Sequence, residues 1–246
     1  MKTSNILLTG FLTFFFLVIT WFVVKAKFHI NTSYIEISGN TVKKSLDVEP
    51  FNKILVQGKF KVFLVQDNEQ QLEVITDENI FPEVIAEVIG GELVLRLRNN
   101  IKDENRVTVN ITIPEINSLE FSAGASLSSG SNLKGEKLKI NSYAGSEGNL
   151  ELQYNSIDCD SNAGSSLVLS GNAKRVKINS SAGSRVDAGN LRADSYTVDG
   201  NAGSHVEVHA DYELTASMSS GGYLGYSGDP EKKNFNSSSG GSISKK

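Results

Sequence analysis

In the stretch SHVEVHA, His205, Glu207 and His209 alternate with valine. In an extended strand such alternation puts the three polar groups on one face, neighbours about 7 Å apart. Imidazole and carboxylate together are a donor set that zinc accepts. Side chains spaced this way do not converge without a further ligand, so a solvated strand face is the expected reading. His29 stands apart and has no evident partner. A second chemistry is offered by Asp158, Asp160, Asp187, Asp199 and Glu207. On neighbouring coils an acid and a base of this kind could flank a glycosidic bond and cleave it, although a hydrated sheet face accounts for them equally well. No G-x-S-x-G, P-loop or H-E-x-x-H motif occurs, and the calcium-binding G-G-x-G-x-D repeat is missing. The single cysteine, Cys159, excludes an intrachain disulfide, a cysteine-based zinc site and a CxxC pair; it is expected to be a small buried residue. The sequence therefore assigns no catalytic, cofactor-binding or metal residue, and no cofactor.

The elements carrying these residues repeat. Small phrases built on Ala-Gly-Ser or its relatives place glycines at Gly124, Gly145, Gly164, Gly183, Gly203, Gly221 and Gly240, in steps of 21, 19, 19, 20, 18 and 19. Apolar residues keep phase with them. Seven before the glycine come Leu138, Ile157, Val176, Tyr196 and Leu214, and five before come Leu119, Ile140, Cys159, Ile178, Val198, Ala216 and Phe235. Three after come Leu127, Leu167, Val186, Val206 and Leu224, while the copy after Gly145 is read as slipping by two, to Leu150 and Leu152. The alternate positions are polar. This phase predicts two short strands per unit, with stacked units burying a shared interior. The glycines are expected to be structural corners, where small residues let successive turns approach and glycine supplies unusual dihedrals. Four before each glycine stand Glu120, Asn141, Asp160, Asn179, Asp199, Ser217 and Asn236, a column whose amides and carboxyls are expected to hydrogen-bond from coil to coil. Lys245 and Lys246, near the last copy, are expected to protect an open sheet edge.

Residues 33–115 show the period of half-buried strands, with Gly90-Gly91 as a hairpin turn, and are expected to open the same solenoid that continues through 116–246. Residues 1–27 differ. Ile6 to Val24 is uncharged and long enough to cross a bilayer, so the reading is one N-terminal transmembrane or signal helix, with an uncleaved anchor favoured over cleavage near Ala26. The fold class expected is all-β: a parallel β-helix-like solenoid of about 19-residue coils after that helix. A net charge of -4 and the lack of a basic block argue against nucleic acid as a partner.

The ordered phrases SLDVEPFNKILVQGKFKVFLVQ, ENIFPEVIAEVIGGELVLRL and RVTVNITIPEINSLEFSAGASL, followed by the glycine repeats, resemble the family described as "putative auto-transporter adhesin, head GIN domain" across roughly Ser45 to Ser239. The resemblance implies a bacterial β-solenoid outside the cytoplasm, in the periplasm or at the cell surface, with no catalytic residues to carry over. A membrane β-barrel is not expected, because no residues follow the repeats to build one. The function expected is an envelope-associated structural or adhesin-like binding module. Its expected partners are a glycan, a cell-wall polymer or an envelope protein, with the membrane met through Ile6 to Val24; the alternative is a polysaccharide-active enzyme using the carboxylates above.

Overall fold

The computed structural model describes residues 35–99, 101 and 107–246. Ile6 to Val24 and His29 lie outside them, and among the described residues no helix is long and apolar enough to cross a membrane. Glu36–Lys246 forms one compact unit.

Before the repeats come β1 (Thr41–Leu46), β2 (Lys53–Gln57), β3 (Phe60–Gln66), β4 (Gln71–Asp77), β5 (Val84–Ile89), β6 (Glu92–Leu97) and β7 (Val107–Ile113). The repeats give β8 (Ser118–Ser122), β9 (Ser126–Ser129), β10 (Leu133–Ser142), β11 (Glu147–Ser161), β12 (Ser166–Ser180), β13 (Arg185–Gly200), β14 (His205–Met218), β15 (Tyr223–Ser227), β16 (Lys232–Ser237) and β17 (Ser242–Lys245). From β8 onward each coil pairs in parallel with the next, which makes this part a β-solenoid of about 19-residue coils.

The segment before the repeats is threaded out of order. β2 and β3 lie between the β8–β9 coil and a coil made by β6 and β7, all parallel. The far side of β6 and β7 is covered by antiparallel strands: β5 against β6 across the Gly90-Gly91 turn, β4 against β7, and β1 against β4. Antiparallel cover removes the parallel edge that would otherwise invite another chain.

Alternation of apolar and polar residues fixes the register, since a shift by one would turn every aliphatic group outward. Leu93, Ile54, Leu119, Ile140, Cys159, Ile178, Val198, Ala216 and Phe235 stand in one column, each paired with the next. All are buried except Phe235, which is 39% exposed on the last coil, where its ring meets Tyr226 at 5.4 Å. The copy after Gly145 does not slip. Gly148 itself pairs with Leu127 and Leu167, and a Cβ there would come within 2.6 Å of Leu167 and 3.0 Å of Phe121, so those larger side chains fill the vacant place. The two extra residues lie earlier, between Ser129 and Leu133. Nor does every coil have two short strands. β11 to β14 are single strands of 14 to 16 residues, because coil-to-coil hydrogen bonding continues through the bend between the two halves.

Each glycine repeat has one sharp corner, a type I′ turn. At the third repeat Ala163 and Gly164 have φ of 52° and 72°, and Ser165 N–H donates to Asn162 O at 3.3 Å. The residue pair before and at each of the other six glycines shows the same positive φ. Close approach, however, is not what calls for glycine here: a Cβ at Gly145, Gly164, Gly183, Gly203 or Gly221 would meet nothing within 4 Å. The dihedral alone selects it. Close approach occurs instead at the bend, where a Cβ on Gly171 would lie 2.1 Å from Leu152 O.

The serine of the phrase has its own reason. Ser165 Oγ donates to Ser142 O at 2.9 Å, lies 2.9 Å from Ser161 Oγ and accepts from Asn162 N–H at 3.1 Å, wholly inside the turn. Ser184 repeats this arrangement with Ser161 O, Ser180 and Ser181. The ladder stops at Ser204, whose hydroxyl has no partner because Gly200 replaces the facing serine and the Met218 side chain takes up its space. Ser165→Ala is expected to cost about 1–3 kcal/mol by orphaning the buried Ser161 Oγ and removing the bond to Ser142 O, while the Asn162 N–H keeps its bond to Ser142 O at 2.9 Å. Thermal unfolding checks this, at about 2–4 °C per kcal/mol.

Candidate functional site

Three adjacent columns on β10 to β13 form an open trough of about 550 Å³ running across the strands. The middle column is Gly135, Tyr154, Ala173 and Ala193, in register from coil to coil. Their chain positions require them to face inward, and all but the tyrosine are too short to rise between their neighbours. Tyr154 is buried, its hydroxyl donating to Ile116 O at 3.0 Å, and it occupies the space a side chain at 135 would need. The floor is therefore low.

Longer polar residues make the two walls. On one side stand Lys134, Gln153, Asn172 and Arg192, paired in register, and on the other Glu136, Asn155, Lys174 and Asp194. Several are anchored. Asn155 Nδ2 donates to Glu136 at 2.5 Å, Arg192 Nη2 to Asp211 at 2.9 Å, and the Lys134 backbone N–H to Gln66 at 2.6 Å. The Arg192 guanidinium, with a smaller contribution from His209, holds the Asp211 carboxyl below the usual carboxylate range. No motif marks this trough; its trace in the sequence is the small residue ten places before Gly145, Gly183 and Gly203.

The histidine strip is resolved into separate partnerships. Arg185 pairs with His205, and Asp187 with Glu207, in adjacent strands. His205 Nε2 lies 3.2 Å from Glu207 Oε1, and its ring stacks on Tyr223 at 4.7 Å. His209 instead places Nδ1 2.9 Å from Ser227 Oγ and Nε2 3.4 Å from Asp211. Among the described residues no three His, Cys, Asp or Glu side chains are gathered as a metal would require. Cys159 is fully buried, and burial pushes its thiol pKa up.

The candidate carboxylates divide between two places. Asp158, Asp160 and Asp199 precede the corner turns and Asp187 and Glu207 follow them. Asp160 accepts from Asn179 at 2.6 Å, and Glu120 from Asn141 at 2.9 Å, the coil-to-coil bonds expected of that column. Asp187 accepts from the Gly189 N–H at 3.1 Å. Glu207 is bound by Lys246 and His205, which hold its carboxyl below the ordinary range. Lys245 likewise reaches Asp229 at 3.0 Å, so these lysines are tied to carboxylates of the preceding coils.

A pKa lowered on folding means that the carboxylate stabilises the fold fully above its unfolded value and loses this effect as pH falls through the lower folded one. Thermal unfolding of the parent protein should therefore fall as pH drops below about 4. In Glu207→Gln that fall should be smaller by roughly 1–2 °C, since the pair is partly exposed to solvent.

Stacked parallel coils with corner turns in register and outward polar rows define a β-solenoid domain. Residues 50–230 match the family described as "putative auto-transporter adhesin, head GIN domain", and the chain belongs to that family. It is thus an adhesin-like β-solenoid, for which the family suggests an envelope or extracellular location. The fold is similar to a solved structure described as a putative adhesin from Bacteroides fragilis, with 20% identity, a TM-score of 0.82, 86% of this chain and 100% of that one covered. A putative adhesin from Parabacteroides distasonis gives 20% identity and a TM-score of 0.72 over 87% of this chain and 100% of its own. A putative lipid binding protein from the same organism gives 20% and 0.69 over the same shares. No curated protein matches.

Proposed function

We propose that the protein is an exported, envelope-associated β-solenoid that holds or binds a glycan, cell-wall polymer or envelope protein without catalysis, attached through Ile6 to Val24. The observation that carries this reading is the alignment of outward polar rows along a fully packed stack, which offers a long, fixed surface. Family membership supports it at the level of an adhesin-like domain. Cleavage of polysaccharide is the weaker reading: an acid catalyst needs a raised pKa, whereas Glu207 is held ionised by Lys246 and His205. The test is protease treatment of cells making the full chain. Digestion on intact cells, or only after the outer membrane is opened, agrees with the proposal; protection until the cytoplasm is released contradicts it.

A further inference from the structure

We propose that the trough across β10 to β13 binds an extended, uncharged polysaccharide lying along the stacking axis, perpendicular to the strands. This rests on the binding role proposed above and names its ligand class. The walls repeat once per coil, at the spacing between strands of about 4.8 Å. A trough ruled at one interval suits a polymer of repeating units better than a single small molecule.

The chemistry of the walls selects among polymers. Lys134, Lys174 and Arg192 are balanced by Glu136, Asp194 and Asp211, so no field of one sign draws in a polyanion. Gln153, Asn155 and Asn172 carry amides that donate and accept, as a sugar hydroxyl does. Asn155 is turned toward Glu136, and the amides of Gln153 and Asn172 take no partner among the described residues. The small floor lets a flat ring descend between the walls.

An extended peptide fits less well. Peptides commonly bind sheets by adding a strand to a free edge, but β11 and β12 are paired on both sides along the trough, and at Lys134, which β8 does not reach, the Gln66 side chain already bonds the backbone N–H and carbonyl. A chain crossing these strands at right angles finds no backbone ladder to join.

The test uses the full chain in detergent and affinity electrophoresis through soluble dextran, xylan, laminarin and mannan, with hyaluronan and unfolded casein as anionic and peptide arms. At least one neutral polysaccharide should retard the protein. The triple variant Q153A/N155A/N172A, altered only at half-exposed or exposed side chains, should bind it roughly tenfold or more weakly, the loss expected for three ordinary hydrogen bonds. Retardation by none of the neutral polymers, by hyaluronan or casein alone, or equally in parent and variant overturns the proposal. Pull-down on isolated envelopes separates the two readings: equal retention of parent and variant would remove the trough and leave the binding role standing.

Discussion

Replacing Gly171 by alanine is expected to destabilise the protein by about 2–5 kcal/mol, the sum of a left-handed backbone penalty and an overpacked site. Its φ is 108°, and the added methyl would overlap the Leu152 carbonyl, a backbone group with its own place in the adjoining coil. Neither coil can move without disturbing pairs along β11 and β12. The midpoint of thermal unfolding should fall by roughly 4–20 °C. Gly164→Ala is the informative comparison. There the methyl meets nothing, so only the positive φ of 72° is penalised, at about 1 kcal/mol. A similar loss at both sites would mean that crowding at the bend is not what the geometry indicates.

The second large effect concerns the stacked interior. Ile178 has no exposed surface and stands between Cys159 and Val198. Ile178→Asp places a carboxylate among aliphatic groups with no counter-charge, which costs several kcal/mol whether it ionises or takes up a proton. The variant should fail to yield folded protein. Ile178→Val keeps the site readable, at a loss of about 0.5–1.5 kcal/mol, whereas Lys177→Ala, one residue away and outward, should leave unfolding unchanged. Equal effects at 177 and 178 would contradict the assignment of faces.

The interior was legible because burial leaves a periodic trace. A two-residue alternation locked to a recurring glycine can be read from one chain, and residues five before each glycine fell into a single column. Three features left weaker traces. The threading of β6 and β7 outside β2 and β3 depends on which edges meet, and alternation is the same for any stacking order. Of the two reasons expected at the corners, the unusual dihedral holds and close approach does not, since both select the same residue type. The trough escaped notice because its floor is built from what is missing: Gly135 and Ala173 carry too little side chain to register as an apolar column. Conversely, His205, Glu207 and His209 drew attention by type, but their partners lie on other coils that local spacing does not reveal.

The most direct measurement is the distance between pairs of spin labels attached at outward positions in one column. Burial keeps Cys159 out of reach of the label. Lys139 and Thr215 are four coil steps apart, so labels on Lys139→Cys/Thr215→Cys should sit about 19 Å apart. From Thr215, Lys53 is six steps away and Glu92 seven, so Lys53→Cys should read about 29 Å and Glu92→Cys about 34 Å. Stepwise distances in that order, with Glu92 beyond Lys53, are the result the stacked solenoid predicts. Distances unrelated to the number of steps, or Lys53 lying farther than Glu92, would contradict it.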